Sequence, residues 1–256
     1  MAAPARVWRK TMARLPRLAL PGMPHHIIQR GLDRQAIVRD DADRARLLAE
    51  IQESAALHKV AVHAYALMDN HLHLLATPEV GEGLSLMMQS VGRRYVAAFN
   101  KRHQRSGTLW DGRFRGAPLE ADAHLLACMC FIELNPQRQG LLLAGPEDYL
   151  WSSAAHHLGR RRDPLVVDHG LYWALGNTPF EREAAWRERL NQGVAPEQAR
   201  RLMDSAHKGW PLGGAAFLGK LGELGELRDR PVTPRKRGRP RKTADGQGPH
   251  SGRGAS

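Results

Sequence analysis

Residues 62–75, Val-His-Ala-Tyr-Ala-Leu-Met-Asp-Asn-His-Leu-His-Leu-Leu, constrain the fold more than any other stretch, because they are two apolar runs joined at Asp69-Asn70. Asp and Asn tolerate tight turns, so the segment predicts a β-hairpin with strands over 59–68 and 71–77. Side chains alternate faces along a strand, so His71 and His73 project from one face and can converge on a single metal ion. Two histidines flanking a leucine in a half-buried strand are also ordinary core residues, and the chain has 13 histidines from which such pairs arise. Both readings are open at this level, although a hairpin in mid-sheet supplies the rigid support that a metal site needs.

Around the hairpin, short β-like segments alternate with longer helical ones. Residues 25–31 read as a strand and 41–58 as an amphipathic helix capped by Asp40 or Asp41, with Leu47, Leu48, Ile51 and Ala55 inward. Residues 84–103 read as a second helix whose apolar stripe is Leu86, Met87, Val91, Tyr95, Ala98 and Phe99, with Arg93, Arg94, Lys101 and Arg102 as its cations. Residues 110–119 read as a final irregular strand, and 121–134 as a helix that ends at Pro136. Strand, helix, strand, strand, helix, strand is the split order of a ferredoxin-like α+β domain. An antiparallel sheet with helices on one face follows, its other face open to nucleic acid or a partner subunit.

The rest of the chain adds appendages to this domain over 21–140. Residues 1–20 carry Arg6, Arg9, Lys10, Arg14 and Arg17 with no acidic residue and read as a basic arm, within which Met12 is an alternative start to Met1. Residues 141–227 read as a small helical module with helices over 180–190 and 196–206, and 228–256 as a disordered basic tail. The net charge of +12, carried mostly by arginine, implies an anionic partner and forked contacts to phosphate. No apolar run is long enough to cross a bilayer, and the N-terminus lacks the apolar core of a secretion signal, so the expected place is the bacterial cytoplasm, at the nucleoid. Cys128 and Cys130, two apart on a helix, point in different directions and read as apolar packing. A monomer and a homodimer are both compatible with this pattern.

Four pieces, Gln29-Arg30-Gly31, the hairpin ending in residues 68–75, Gly107-Thr108-Leu109-Trp110-Asp111-Gly112-Arg113-Phe114, and Ile132-Glu133-Leu134-Asn135-Pro136, form an ordered set over roughly 21–153. That set resembles the IS200-like single-tyrosine HUH transposases, and within them the group associated with repetitive extragenic palindromes (REPs). The resemblance implies that His71 and His73 bind Mg²⁺ or Mn²⁺, that the partner is hairpin or single-stranded DNA, and that the reaction is metal-dependent strand cleavage and transfer. Asn135, one helical turn beyond position 131, is the candidate third ligand, with a helix C-cap as its other reading. The departure lies at Phe131, where the family's Tyr-Ile-Glu-Leu-Asn-Pro motif has its nucleophile. A phenyl ring has no hydroxyl, so no phosphotyrosine link forms through it. Tyr95, beside Arg93 and Arg94, is the least remote substitute among the chain's 4 tyrosines. A non-catalytic DNA-binding or regulatory protein that keeps the fold is the alternative class.

Cations and aromatic planes supply candidate DNA contacts. Trp110, Arg113, Phe114 and Arg115 would stack unpaired bases and clamp phosphates, with Arg30, Arg34, Arg93 and Arg94 as further phosphate contacts; a structural turn with a buried Trp110 is the other reading of that segment. In the tail, Arg237-Gly238-Arg239-Pro240 is similar to an AT-hook, in which Arg237 and Arg239 would reach into the minor groove of A·T-rich duplex. A generic basic tail is the other reading of that segment.

Overall fold

The computed structural model describes residues 18–141 and 145–223. Most of the basic arm, and the tail with Arg237 and Arg239, lie outside the described residues. Leu18 and Leu20, at the end of the expected arm, are buried with Leu221 of the last described helix, Ala215–Glu223.

Strands β1 (His25–Arg30), β2 (Val60–Leu67), β3 (His71–Pro78) and β4 (Arg115–Pro118) form one antiparallel sheet in the order β2-β3-β1-β4. Helices α1 (Asp41–Leu57) and α2 (Gly83–Arg102) connect them in the split β-α-β manner. The ferredoxin-like α+β fold is therefore present. Asp40 opens α1, its carboxylate accepting from the Asp43 N–H at 3.0 Å, and the Asp69-Asn70 turn closes with Met68 N–H donating to His71 O at 2.9 Å. Leu72, Leu74 and Ala76 of β3, with Ile27 of β1, pack against Leu47 and Ile51 of α1 and Met87, Val91 and Phe99 of α2. Gly31, just past β1, leaves no room for a side chain, since a Cβ there would lie 2.2 Å from the Gln35 carbonyl oxygen.

The opposite face is covered, contrary to the expectation that it is open. Ala64, Ala66 and Leu75 on that face, together with Met68, are buried under α3 (Ala121–Glu133), α7 (Pro179–Gln192) and α8 (Pro196–Lys208). The reason is compositional: β2 and β3 are apolar on both faces and nearly continuously buried, so each face needs a layer. The C-terminal module is thus part of the same core.

Local boundaries differ from the sequence reading in three places. Instead of a strand over 110–119, only Arg115–Pro118 pairs as one, because Gly112, at φ 69°, turns the chain after an isolated bridge between Trp110 and Gly31. Leu86 of α2 is 40% exposed, and Leu84 and Met88 fill the inner stripe instead. Pro136 does not end the helical run: after a one-residue break at Leu134, α4 (Asn135–Arg138) continues with the proline in its first turn, where its missing N–H is not needed. No helix among the described residues is long and apolar enough to cross a membrane.

Candidate metal and nucleic-acid site

β3 presents His71 and His73 beside Arg30 and Ile28 of β1, its antiparallel partner. Their rings lie 5.1 Å apart, nearly perpendicular. Asn70 Oδ1 lies 2.6 Å from His71 Nδ1, and as an amide oxygen it only accepts. The proton therefore sits on Nδ1, and the His71 Nε2 lone pair faces away from the turn. His73 Nδ1 shares a hydrogen bond of 2.9 Å with His26 Nε2, and the two rings stack at 5.2 Å. Burial pushes His26 and His71 down to about 4 and His73 well below the ordinary imidazole value. At neutral pH all three are neutral, the state that ligates metals.

α3 and α4 deliver the facing side chains. Phe131 is buried, edge-on to His26 at 5.9 Å and to His73 at 6.0 Å. The Arg138 guanidinium stacks 3.8 Å over the Phe131 ring and donates to the Phe131 carbonyl at 2.8 Å. Asn135, with α4 resuming around it, is not a C-cap; it is buried, and its Nδ2 has no hydrogen-bond partner. Gln139, one turn further on, donates from Nε2 to both His71 Nε2 at 3.2 Å and Asn135 Oδ1 at 3.3 Å. Two lone pairs from separate elements thus converge on one electropositive N–H₂ group. Sequence reasoning missed Gln139 and His26. The i+4 spacing from Asn135 to Gln139 was the only available signal for the first, and the β1–β3 pairing behind His26 is not local.

The structure gathers some of the expected cations and disperses others. Arg30, Arg113 and Arg115 line one small cavity with Asp111 and His207. Arg93 is exposed on a groove between α2 and residues 108–114 that also includes Trp110, Arg113 and Phe114. Trp110 is half-buried and stacks on Tyr95 at 6.1 Å, so one face of its indole is already used. Arg94 pairs with Glu50 and Glu53 of α1, an internal clamp between helices. Tyr95 is 1% exposed and its hydroxyl donates to the Ile37 carbonyl at 2.6 Å, which removes it as a substitute nucleophile. The other three phenols are also engaged, Tyr65 with Asp163, Tyr149 with Leu67 O and Tyr172 with His157 O.

A second polar cluster stands behind the motif helix. Glu133, fully buried at the end of α3, accepts from His157 Nδ1 at 2.6 Å, Trp186 Nε1 at 2.9 Å and Ser153 Oγ. His156, His157 and Asp168 have the spacing of a cation site. Their hydrogen bonds point elsewhere: His156 Nδ1 accepts the Asp163 N–H at 3.0 Å, so Nε2 carries the proton that it gives to Asp168. Burial alone would lower His157, but the Glu133 charge and hydrogen bonds to Asp168 and Glu133 push it up to about 9. The cluster is a proton-filled ion pair that ties the C-terminal module to α3.

Residues 20–133 match the family model described as transposase IS200 like. Among solved structures, the chain is similar to a REP-associated tyrosine transposase bound to a REP hairpin, with 15% identity and a TM-score of 0.50 over 62% of this chain and 93% of that one. It is also similar to a Deinococcus radiodurans protein assigned as a transposase, with 17% identity and a TM-score of 0.33 over 50% and 92% of the respective chains. No curated protein matches the chain significantly.

Proposed function

We propose that the chain is an IS200-like transposase-family protein, a reading supported by the match of residues 20–133 to that family's model, and that it binds hairpin-forming DNA with an unpaired flank at its His71/His73 site. The carrying observation is the convergence of His71 Nε2 and Asn135 Oδ1 on the single amide of Gln139. A donor group that satisfies two lone pairs stands where a cation would, so the residues present suit Mg²⁺ or Mn²⁺ held by His71, His73 and Asn135. Bound there, the ion supplies charge neutralisation to a phosphodiester.

The chain's own groups perform the remaining tasks. Asn70 fixes the His71 tautomer, and His26 does the same for His73 when the shared proton lies on His73 Nδ1. Arg30, Arg113 and Arg115 bind phosphates, while Arg93 and Trp110 contact the unpaired flank. A REP-like hairpin is the proposed substrate class, as in the solved relative. Phe131 keeps the ring and its cation–π contact with Arg138 but offers no oxygen. The native chain then binds DNA without forming a phosphotyrosine link, and acts as a binding or regulatory member of its family. Arg237 and Arg239 in the tail add affinity for A·T-rich duplex.

Calorimetric titration with Mn²⁺ tests the site, with one ion expected for the native chain and none for the His71→Ala/His73→Ala variant. Undiminished binding in that variant refutes the ligand set. Incubation of a labelled hairpin with Mn²⁺ tests the nucleophile. The native chain is expected to leave no denaturation-resistant adduct and Phe131→Tyr to form one, whereas an adduct of the native chain mapped to any tyrosine refutes this reading.

A further inference from the structure

The small cavity lined by Ile28, Arg30, Asp111, Arg113, Arg115 and His207 has a volume of about 80 Å³. Since roughly 10–15 Å³ by this measure holds a water, there is room for one tetrahedral oxyanion. Its charges are unbalanced. Arg44, Arg94 and Arg102 each meet a carboxylate within ion-pair distance, but among the described residues Arg30, Arg113 and Arg115 do not. Asp111 is the one acidic group on the cavity wall, against three guanidinium groups and an imidazole. Three cations gathered around a single carboxylate repel one another, and an anion removes that penalty.

His207 comes from outside the matched family region, on the last turn of α8. Leu202 and Ala206 are buried on the same helix, which packs across β4 and β1 and carries His207 to the sheet edge. The cavity adjoins the histidine site: Arg30 pairs with His71 across β1 and β3, and both Arg30 and His207 act electrostatically on His71.

We propose that Arg30, Arg113, Arg115 and His207 form a subsite for a phosphodiester neighbouring the one held at His71 and His73, so that the C-terminal module is a working wall of the DNA site. This inference rests on the DNA-binding reading above. His207 donates an N–H to a phosphate oxygen, while the arginines supply charge and forked contacts.

The test uses the full chain and a hairpin oligonucleotide with an unpaired flank, in which each flank phosphate in turn is replaced by a neutral methylphosphonate. One replacement is expected to weaken native binding roughly tenfold and to have little further effect in Arg115→Ala. That variant should also lower the slope of log K against log salt by about 0.7, the value for one single-strand phosphate contact. His207→Ala is expected to weaken binding about fivefold, and His207→Gln, which keeps a donor, to restore most of it. Native hairpin binding with no sensitive flank phosphate, or with equal affinities and salt slopes in Arg115→Ala and His207→Ala, overturns the subsite alone. Failure of the native chain to bind the hairpin overturns the DNA-binding reading and the subsite with it. If His207→Ala lowers thermal stability, His207→Gln and the methylphosphonate scan of Arg115→Ala decide the outcome.

Discussion

Glu133 lies in the same short motif as Phe131 and Asn135, but its work is internal, and replacing it with glutamine isolates that work. Its carboxylate is fully buried and accepts three hydrogen bonds, one from a histidine pushed up to about 9. A folded value above the unfolded one means that the stabilisation is complete below about pH 6.5 and is lost as pH rises through about 9. A difference of about 2.5 pH units at about 1.36 kcal/mol each gives about 3 kcal/mol. Glu133→Gln removes the charge, leaves His157 facing Asp168 alone, and turns an amide N–H₂ toward donors. The expected loss is about 3–5 kcal/mol, a large part of the 5–15 kcal/mol typical of a folded domain. Urea unfolding followed by tryptophan fluorescence, at about pH 6.5 and about pH 9.5, measures both effects. The native chain should lose about 3 kcal/mol between the two conditions and the variant much less. A variant destabilised by under about 1 kcal/mol, with the native pH dependence intact, would refute the ion-pair account.

Three further outcomes are expected. Burial pushes His25, His26, His63 and His71 each down to about 4. The unfolded chain therefore takes up protons first as pH falls below about 6.5, and each histidine costs about 2 kcal/mol by about pH 5; a urea midpoint that stays flat from about pH 7 to about pH 5 would contradict this. Gln139→Glu replaces the competing N–H₂ with a carboxylate and should tighten Mn²⁺ binding about tenfold by calorimetry, whereas unchanged or weaker binding would place Gln139 away from the ion. Truncation after Leu227 should weaken binding to A·T-rich duplex and flatten its salt dependence, and equal binding by the truncated chain would reduce the tail to a solubilising segment.

The hairpin, α1 and α2 were legible because their signals are local: turn residues at Asp69-Asn70, a cap at Asp40 and apolar periodicity. The helices of the layer over the histidine face were legible one by one, but their packing on β2 and β3 was not, since it joins segments distant in sequence. The histidine pair and Asn135 were legible as a spacing, but the groups that orient them were not. His26 and Gln139 meet the pair across 47 and 68 residues. Arg94 looked like a phosphate contact because its partners, Glu50 and Glu53, sit on another helix. Glu133 carried no sequence signal beyond its place in the motif, because its three donors arrive from 20 to 53 residues downstream.

The engagement of every tyrosine has a spectroscopic consequence. All 4 phenols are hydrogen-bonded, and each is pushed above the ordinary tyrosine value, by burial first. The native chain should therefore show almost no phenolate absorbance until strongly alkaline conditions unfold it. A hydroxyl introduced at position 131 would sit on a ring already capped by the Arg138 guanidinium at 3.8 Å, where a nearby cation favours ionisation. Its titration would appear alone against a silent background, so absorbance could follow the acidity of that one oxygen, and its response to Mn²⁺ or to DNA, without any label.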